Sequence, residues 1–238
     1  MKRKLTITIL ALVLTCLVSK VMGQTSVEYH YNFGKHLYED RKNDPGSLIT
    51  VQHFSADPWG NNLFFVDFLM GGNNMSEAYF EIFRNLKFWE EPIALHFEYN
   101  GGLNQSFIMN HAYLVGVNWS YVNLEKQFNL GVTMSYRHDQ KHERPHNMQL
   151  TTNWCWTSWN KVWTLSGFLD LWTQRIEGIK SGVVLLSEPQ IWMNLNQFQG
   201  VHDDFNLSIG SEIKVSYNFL SPDKFLVRPT LALKWTFK

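Results

Sequence analysis

Apolar and polar residues alternate along most of the chain, most plainly at its end. Phe225, Val227, Pro229, Leu231, Leu233, Trp235 and Phe237 fall on one side of an extended strand. Arg228, Thr230, Ala232, Lys234 and Thr236 fall on the other. The run is far longer than the ~5–6 residues usual in soluble sheets. A long apolar edge strand invites aggregation in water, whereas a membrane β-barrel needs such a strand: apolar toward lipid, polar toward a lumen, aromatic at the interface.

The same period recurs upstream. Leu48–Ala56, Asn61–Met70, Glu77–Leu86, Ile93–Asn100, Tyr113–Tyr121, Phe128–Arg137, Asn147–Thr157, Trp163–Trp172 and Phe205–Tyr217 each read as strands. Turn chemistry separates them, as in Asp57-Pro-Trp-Gly60. Gly182–Asn194 is also extended, but its alternation fails at Ser187-Glu-Pro189, which predicts a bulge or kink. Val27–Leu37 gives a weaker first strand before the polar cluster Asp40–Gly46. No helical periodicity of useful length and no domain linker interrupts the series. The reading is therefore all-β: a transmembrane antiparallel β-barrel of about twelve strands, in one domain over residues 24–238. Links after odd strands should then be long and those after even strands short. Leu195–Asp204 and Leu220–Lys224 break that rule.

Residues 1–23 read as an export signal. A basic head, Met1-Lys-Arg-Lys4, precedes an apolar run to Val18, and small residues near Gly23 suit cleavage. Together these imply a multi-pass barrel in the outer membrane of a Gram-negative cell, surrounded by lipid and inserted by the barrel assembly machinery. The full chain has 21 basic and 21 acidic residues; losing Lys2, Arg3, Lys4 and Lys20 leaves 17 basic ones and a net charge of −4. Such a chain offers nucleic acid no electrostatic footing. Cys155 would be the single remaining cysteine, so neither a disulfide framework nor a thiolate metal centre is expected, and no cofactor. Ten Trp, nine Tyr and seventeen Phe fit the aromatic girdles of a barrel.

Parity also assigns faces. Asp67 marks the lumen side of its strand, because a bare carboxylate toward lipid costs several kcal/mol; Phe65 shares that side. Tyr79, Glu81 and Phe83 share a face of the next strand. Phe65, Tyr79, Phe83, Phe168 and Trp172 could form a stacking track or simply fill a narrow barrel. Asp67, Glu81, Glu98, Asp170 and Glu212 could serve a solute or a charge network with Arg84, Arg137, Lys214, Arg228 and Lys234. In particular, Arg228 and Lys234 are candidate counterparts of Asp67 and Glu81 across the lumen. His138, His142 and His146 recur every fourth residue, yet Pro145 argues against a helix and assigns them to a solvated loop. Ser, His and Asp occur without any signature linking them into a catalytic set, so an enzyme is not the expected reading.

One stretch carries a family resemblance. Thr50-Val-Gln-His-Phe-Ser-Ala-Asp-Pro-Trp-Gly-Asn-Asn-Leu-Phe-Phe-Val-Asp-Phe68, then Gly71-Gly72, then Tyr79-Phe-Glu-Ile82, resembles the Tsx-type nucleoside-specific channels of Gram-negative outer membranes. The similarity covers roughly Thr50–Arg84. It implies a monomeric twelve-stranded barrel whose narrow pore passes nucleosides by diffusion, aromatic rings stacking on the base and polar groups bonding the sugar. The matching positions are Phe65, Asp67, Tyr79 and Glu81, with Phe83 beside them. Such barrels commonly end on the aromatic itself, whereas this chain ends Phe237-Lys238. The alternatives are a plugged barrel with a structural or surface-interaction role and, further off, a barrel enzyme.

Overall fold

The computed structural model describes residues 22–71, 74–104, 111–174, 182–219 and 221–237. Most of the segment read as an export signal, Gly72, and residues 175–181 between two of the expected strands therefore lie outside the described residues. Thirteen strand segments form the fold. They are β1 (Met22–Asn32), β2 (Ser47–Asp57), β3 (Gly60–Gly71), β4 (Asn74–Leu86), β5 (Ile93–Asn104), β6 (Ala112–Val122) and β7 (Phe128–Asp139). They continue as β8 (His146–Thr157), β9 (Trp163–Thr173), β10 (Val183–Ser187), β11 (Gln190–Asn194), β12 (Leu207–Tyr217) and β13 (Phe225–Phe237). Each pairs antiparallel with its neighbours, and β1 pairs with β13, so the sheet closes on itself. Closure removes the edges that the apolar pattern would otherwise expose.

The wall has twelve positions, because β10 and β11 are two halves of one strand between β9 and β12. The break falls where alternation failed in the sequence. Register does not slip across it: Ser187 faces Leu169 and Gln190 faces Ser166. Pro189 has no N–H for the ladder. Gly167 on β9 takes φ +152°, and a Cβ there would sit 2.6 Å from the Glu188 carbonyl oxygen, so only glycine admits the kink.

Two expectations are corrected. The first strand runs from Met22 to Asn32, not from Val27 to Leu37, since the chain turns at Phe33 into a short helix α1 (Gly34–Leu37) and a 3-10 turn (Glu39–Arg41). Phe33 N–H donates to the Pro229 carbonyl at 3.1 Å, which ends its extension along the wall. The strand expected over Ile93–Asn100 runs on to Asn104. The long link between β11 and β12 is also real and lies at the end where β1 starts and β13 stops, the terminus end of the wall. It folds on itself, Asn196 Nδ2 reaching the Asp203 carbonyl at 3.2 Å and Asn206 Oδ1 at 3.1 Å. The strand count of twelve needs no change.

The outer face is apolar. On β6, Tyr113, Val115, Val117, Trp119 and Tyr121 are exposed, while Ala112, Leu114 and Asn118 behind them are buried. Aromatics sort by height: Trp119, Trp156, Trp163 and Trp235 lie toward the terminus end, and Tyr29, Tyr99, Tyr113 and Tyr136 toward the far end. A belt of this kind suits lipid with two interfaces. Among the described residues no helix is long and apolar enough to cross a membrane.

Candidate functional site

The inner face is polar and collects the side chains that parity assigned to it. Strand register sets Phe65 opposite Glu81, Asp67 opposite Tyr79 and Leu63 opposite Phe83, with Asp67 opposite Thr50 on its other side. Thr50 Oγ1 donates to Asp67 Oδ1 at 2.6 Å, and Tyr79 Oη to Glu81 Oε2 at 3.1 Å. The Phe65 and Tyr79 rings lie 5.9 Å apart at 47°, and Phe83 lies 5.4 Å from the His96 ring. All five residues are half-buried. They form one continuous patch on the inner wall.

Inner residues of β8 and β9 are half-buried in the same way, including Asn153, Phe168 and Asp170. Those of β5 to β7 are mostly buried against one another, for example His96, Leu114 and Ser135. The accessible lumen therefore runs along β3, β4, β8 and β9. Trp172 does not join an open track: it is buried, its Nε1 donates to Gln174 at 3.0 Å, and the Arg137 guanidinium lies 5.0 Å over its ring.

The cations have partners other than those expected. Lys234 Nζ meets Glu28 Oε1 at 2.7 Å and sits 4.9 Å over the Trp192 ring, because register places Lys234 directly opposite Glu28 where the barrel closes. Arg228 lies 3.7 Å from Asp44, which the link after β1 folds over it, and its stem fills the space beside Gly34. Neither pairs with Asp67 or Glu81. Arg137 Nε bonds Asp139 at 2.8 Å and its Nη1 bonds Gln149 at 2.7 Å, while Lys214 bonds Glu188 at 2.6 Å. Arg84 leaves the lumen altogether. It shares the outward parity of Phe80 and Ile82 and grips Asp57 with two bonds of 2.9 Å.

Glu28, His30, Trp192 and Asn100 escaped the site reading. Glu28 and His30 lie in the strand whose bounds were misread, 3.1 Å apart and both nearly inaccessible. Trp192 hides beside the kink. His96, Glu98 and Asn100 alternated visibly, and the structure joins them: His96 Nε2 meets Glu98 at 2.9 Å and Asn100 Nδ2 donates to Glu98 at 2.8 Å.

The histidine repeat is not one loop. His138 and His146 are opposite each other on β7 and β8 with rings 5.5 Å apart, and His142 in the turn contacts Gln174 at 3.0 Å. Among the described residues no group of three or more His, Cys, Asp or Glu could hold a metal ion. Cys155 is a free cysteine on the inner face.

Residues 24–237 match the model of a family described as a domain of unknown function, DUF5020. No curated protein matches the sequence. Among solved structures, one described as the NanC porin in a rhombohedral crystal form superposes with a TM-score of 0.54 at 10% identity, covering 90% of this chain and 99% of that one. That likeness fixes a porin-like barrel fold.

Proposed function

The chain belongs to the DUF5020 family, and from its architecture we propose that it is an outer-membrane channel for facilitated diffusion of small solutes, nucleosides or molecules like them. The observation that carries the reading is the half-buried inner patch of Phe65, Asp67, Tyr79, Glu81 and Phe83 inside a closed barrel with an apolar exterior. Rings presented side by side on the wall offer a base a face to stack on, such stacking being worth ~1–3 kcal/mol. The hydroxyl and carboxylates beside them bond sugar hydroxyls. Such contacts are weak enough to release the solute, as conduction requires. Residues 1–23 serve in this reading as a cleaved export signal, and the family match beginning at residue 24 supports it. Arg228 and Lys234 act as wall supports.

Uptake into liposomes carrying the purified protein tests the proposal. Adenosine and uridine should enter faster than sugars of equal size, and Phe65→Ala with Phe83→Ala should remove saturation while leaving ion conductance. Equal entry of nucleosides and sugars would refute nucleoside preference. A second reading, a plugged structural barrel, is favoured by the buried Trp192, Leu114 and Val184 on the inner face. A folded barrel without conductance in planar bilayers would establish it.

A further inference from the structure

We propose that the lumen selects for cations, with Glu81, Glu98, Asp170 and Asn100 as the place where the ammonium or guanidinium group of an organic cation is held. The route for that solute rests on the channel reading above; the site does not.

The argument is one of unmatched charge. Three inner cations are held close by carboxylates of their own, Arg137 by Asp139 at 2.8 Å, Lys214 by Glu188 at 2.6 Å and Lys234 by Glu28 at 2.7 Å; Arg228 lies 3.7 Å from Asp44 with its Nε and Nη2 unpartnered, on β13 rather than beside β4 and β5. On β4, β5 and β9 the carboxylates have other donors: a tyrosine hydroxyl on Glu81, an imidazole and an amide on Glu98, and the Thr151 hydroxyl on Asp170 at 2.5 Å. Register sets Glu81 opposite Asn100 and Phe83 opposite Glu98, so Glu81 and Glu98 are diagonal neighbours on the inner wall, and Asp170 faces the same lumen from β9. Rings of carboxylates are how pores favour cations.

Asn100 supplies an independent sign. It stands directly opposite Glu81, is 6% exposed, and aims its amide at the cluster, with Nδ2 on Glu98. Its Oδ1 has no donor. Turning the amide over would not help, since Glu98 can only accept. Buried acceptors are rarely left so, and a cation carrying several N–H groups would satisfy this one together with the carboxylates. Among the described residues no group of three or more His, Cys, Asp or Glu could hold a metal ion, and an organic cation with spread donors suits carboxylates on separate strands. The neighbouring Phe65 and Tyr79 rings add an electron-rich face.

Two measurements on the full-length barrel test this. In planar bilayers under a KCl gradient, the reversal potential should give a potassium-to-chloride permeability ratio of about fourfold or more, the enrichment that one carboxylate about 5 Å away in water gives the cation alone. Glu81→Gln with Asp170→Asn should bring it toward unity; a wild-type ratio of one or less overturns the proposal. Titration of the detergent-solubilised barrel with agmatine, which carries both an ammonium and a guanidinium, reads the site whether or not the barrel conducts. Saturable binding should weaken about tenfold or more in the double variant. Absent binding, or binding unaltered by the substitutions, overturns the site. Glu81→Gln alone, which changes no volume, serves if the double variant fails to fold. No conductance with agmatine still bound would sink the channel reading and leave the site standing.

Discussion

Lys234→Met should weaken the barrel at the point where its first and last strands meet. Glu28 is 1% exposed and faces Lys234 at 2.7 Å, with His30 at 3.1 Å and the Ser26 hydroxyl at 3.5 Å as its other partners. At that separation and an effective dielectric near 20, the gross Coulomb attraction is about 6 kcal/mol. Most of it offsets desolvation, so the net worth of the pair is small, but removing one partner strands a buried charge at a cost of about 3–5 kcal/mol. His30 still bonds Glu28, which favours the lower end, and loss of the amine over Trp192 adds roughly 0.5–1 kcal/mol. The expected loss is therefore about 3.5–4 kcal/mol. Glu28→Gln combined with Lys234→Met should recover most of it, because the stranded charge is gone. Urea unfolding of the barrel refolded into phosphatidylcholine vesicles, followed by tryptophan fluorescence in mildly alkaline buffer, measures both. A single variant within roughly 0.5 kcal/mol of the parent, or a double variant no better than the single, would refute the reasoning.

Other consequences are open to simple assays. Gly167→Val places a branched side chain at φ +152°, 2.6 Å from the Glu188 carbonyl, and should prevent the heat-modifiable gel mobility of a folded barrel; Gly200→Ala, at φ +85° with nothing within 4 Å, should cost only about 1 kcal/mol. Val117→Arg, in the middle of the outer face of β6, should cost about 2–4 kcal/mol in vesicle refolding. Tyr38→Phe removes the hydroxyl that accepts from Val227 N–H at 3.0 Å and donates to its carbonyl at 3.3 Å, so hydrogen exchange at Val227 should accelerate about tenfold.

Strand existence and facing were legible because a period of two needs only local sequence. Phe65, Asp67, Tyr79, Glu81 and Phe83 could be set on one wall that way, and the kink at Ser187–Pro189 announced itself through Pro189. Partnership was not legible. Parity tells which face a side chain takes, but not its height or its position around the ring, so the match of Lys234 with Glu28 had to await closure of the barrel. Asp44 over Arg228 depends on a link folding inward, and no periodicity reports that. The start of β1 was obscured because its polar inner set, Gln24, Ser26, Glu28 and His30, follows closely on an apolar stretch, while Phe33 and Leu37 mimic a continuing strand.

The ladder between β1 and β13 runs from Thr25 with Phe237 to Asn32 with Thr230, joining residues about two hundred positions apart. Every other neighbouring pair along the wall joins strands that are close in sequence. A nascent chain can therefore zip hairpin upon hairpin, but it cannot make this last join until its final strand has been delivered. Until then, two rows of amide and carbonyl groups face hydrocarbon unpaired, each at a cost of several kcal/mol. Intermediates lacking the C-terminal strand should thus be unable to rest in a bilayer unaided. Biogenesis is then an all-or-none event whose timing is set by Phe225–Phe237.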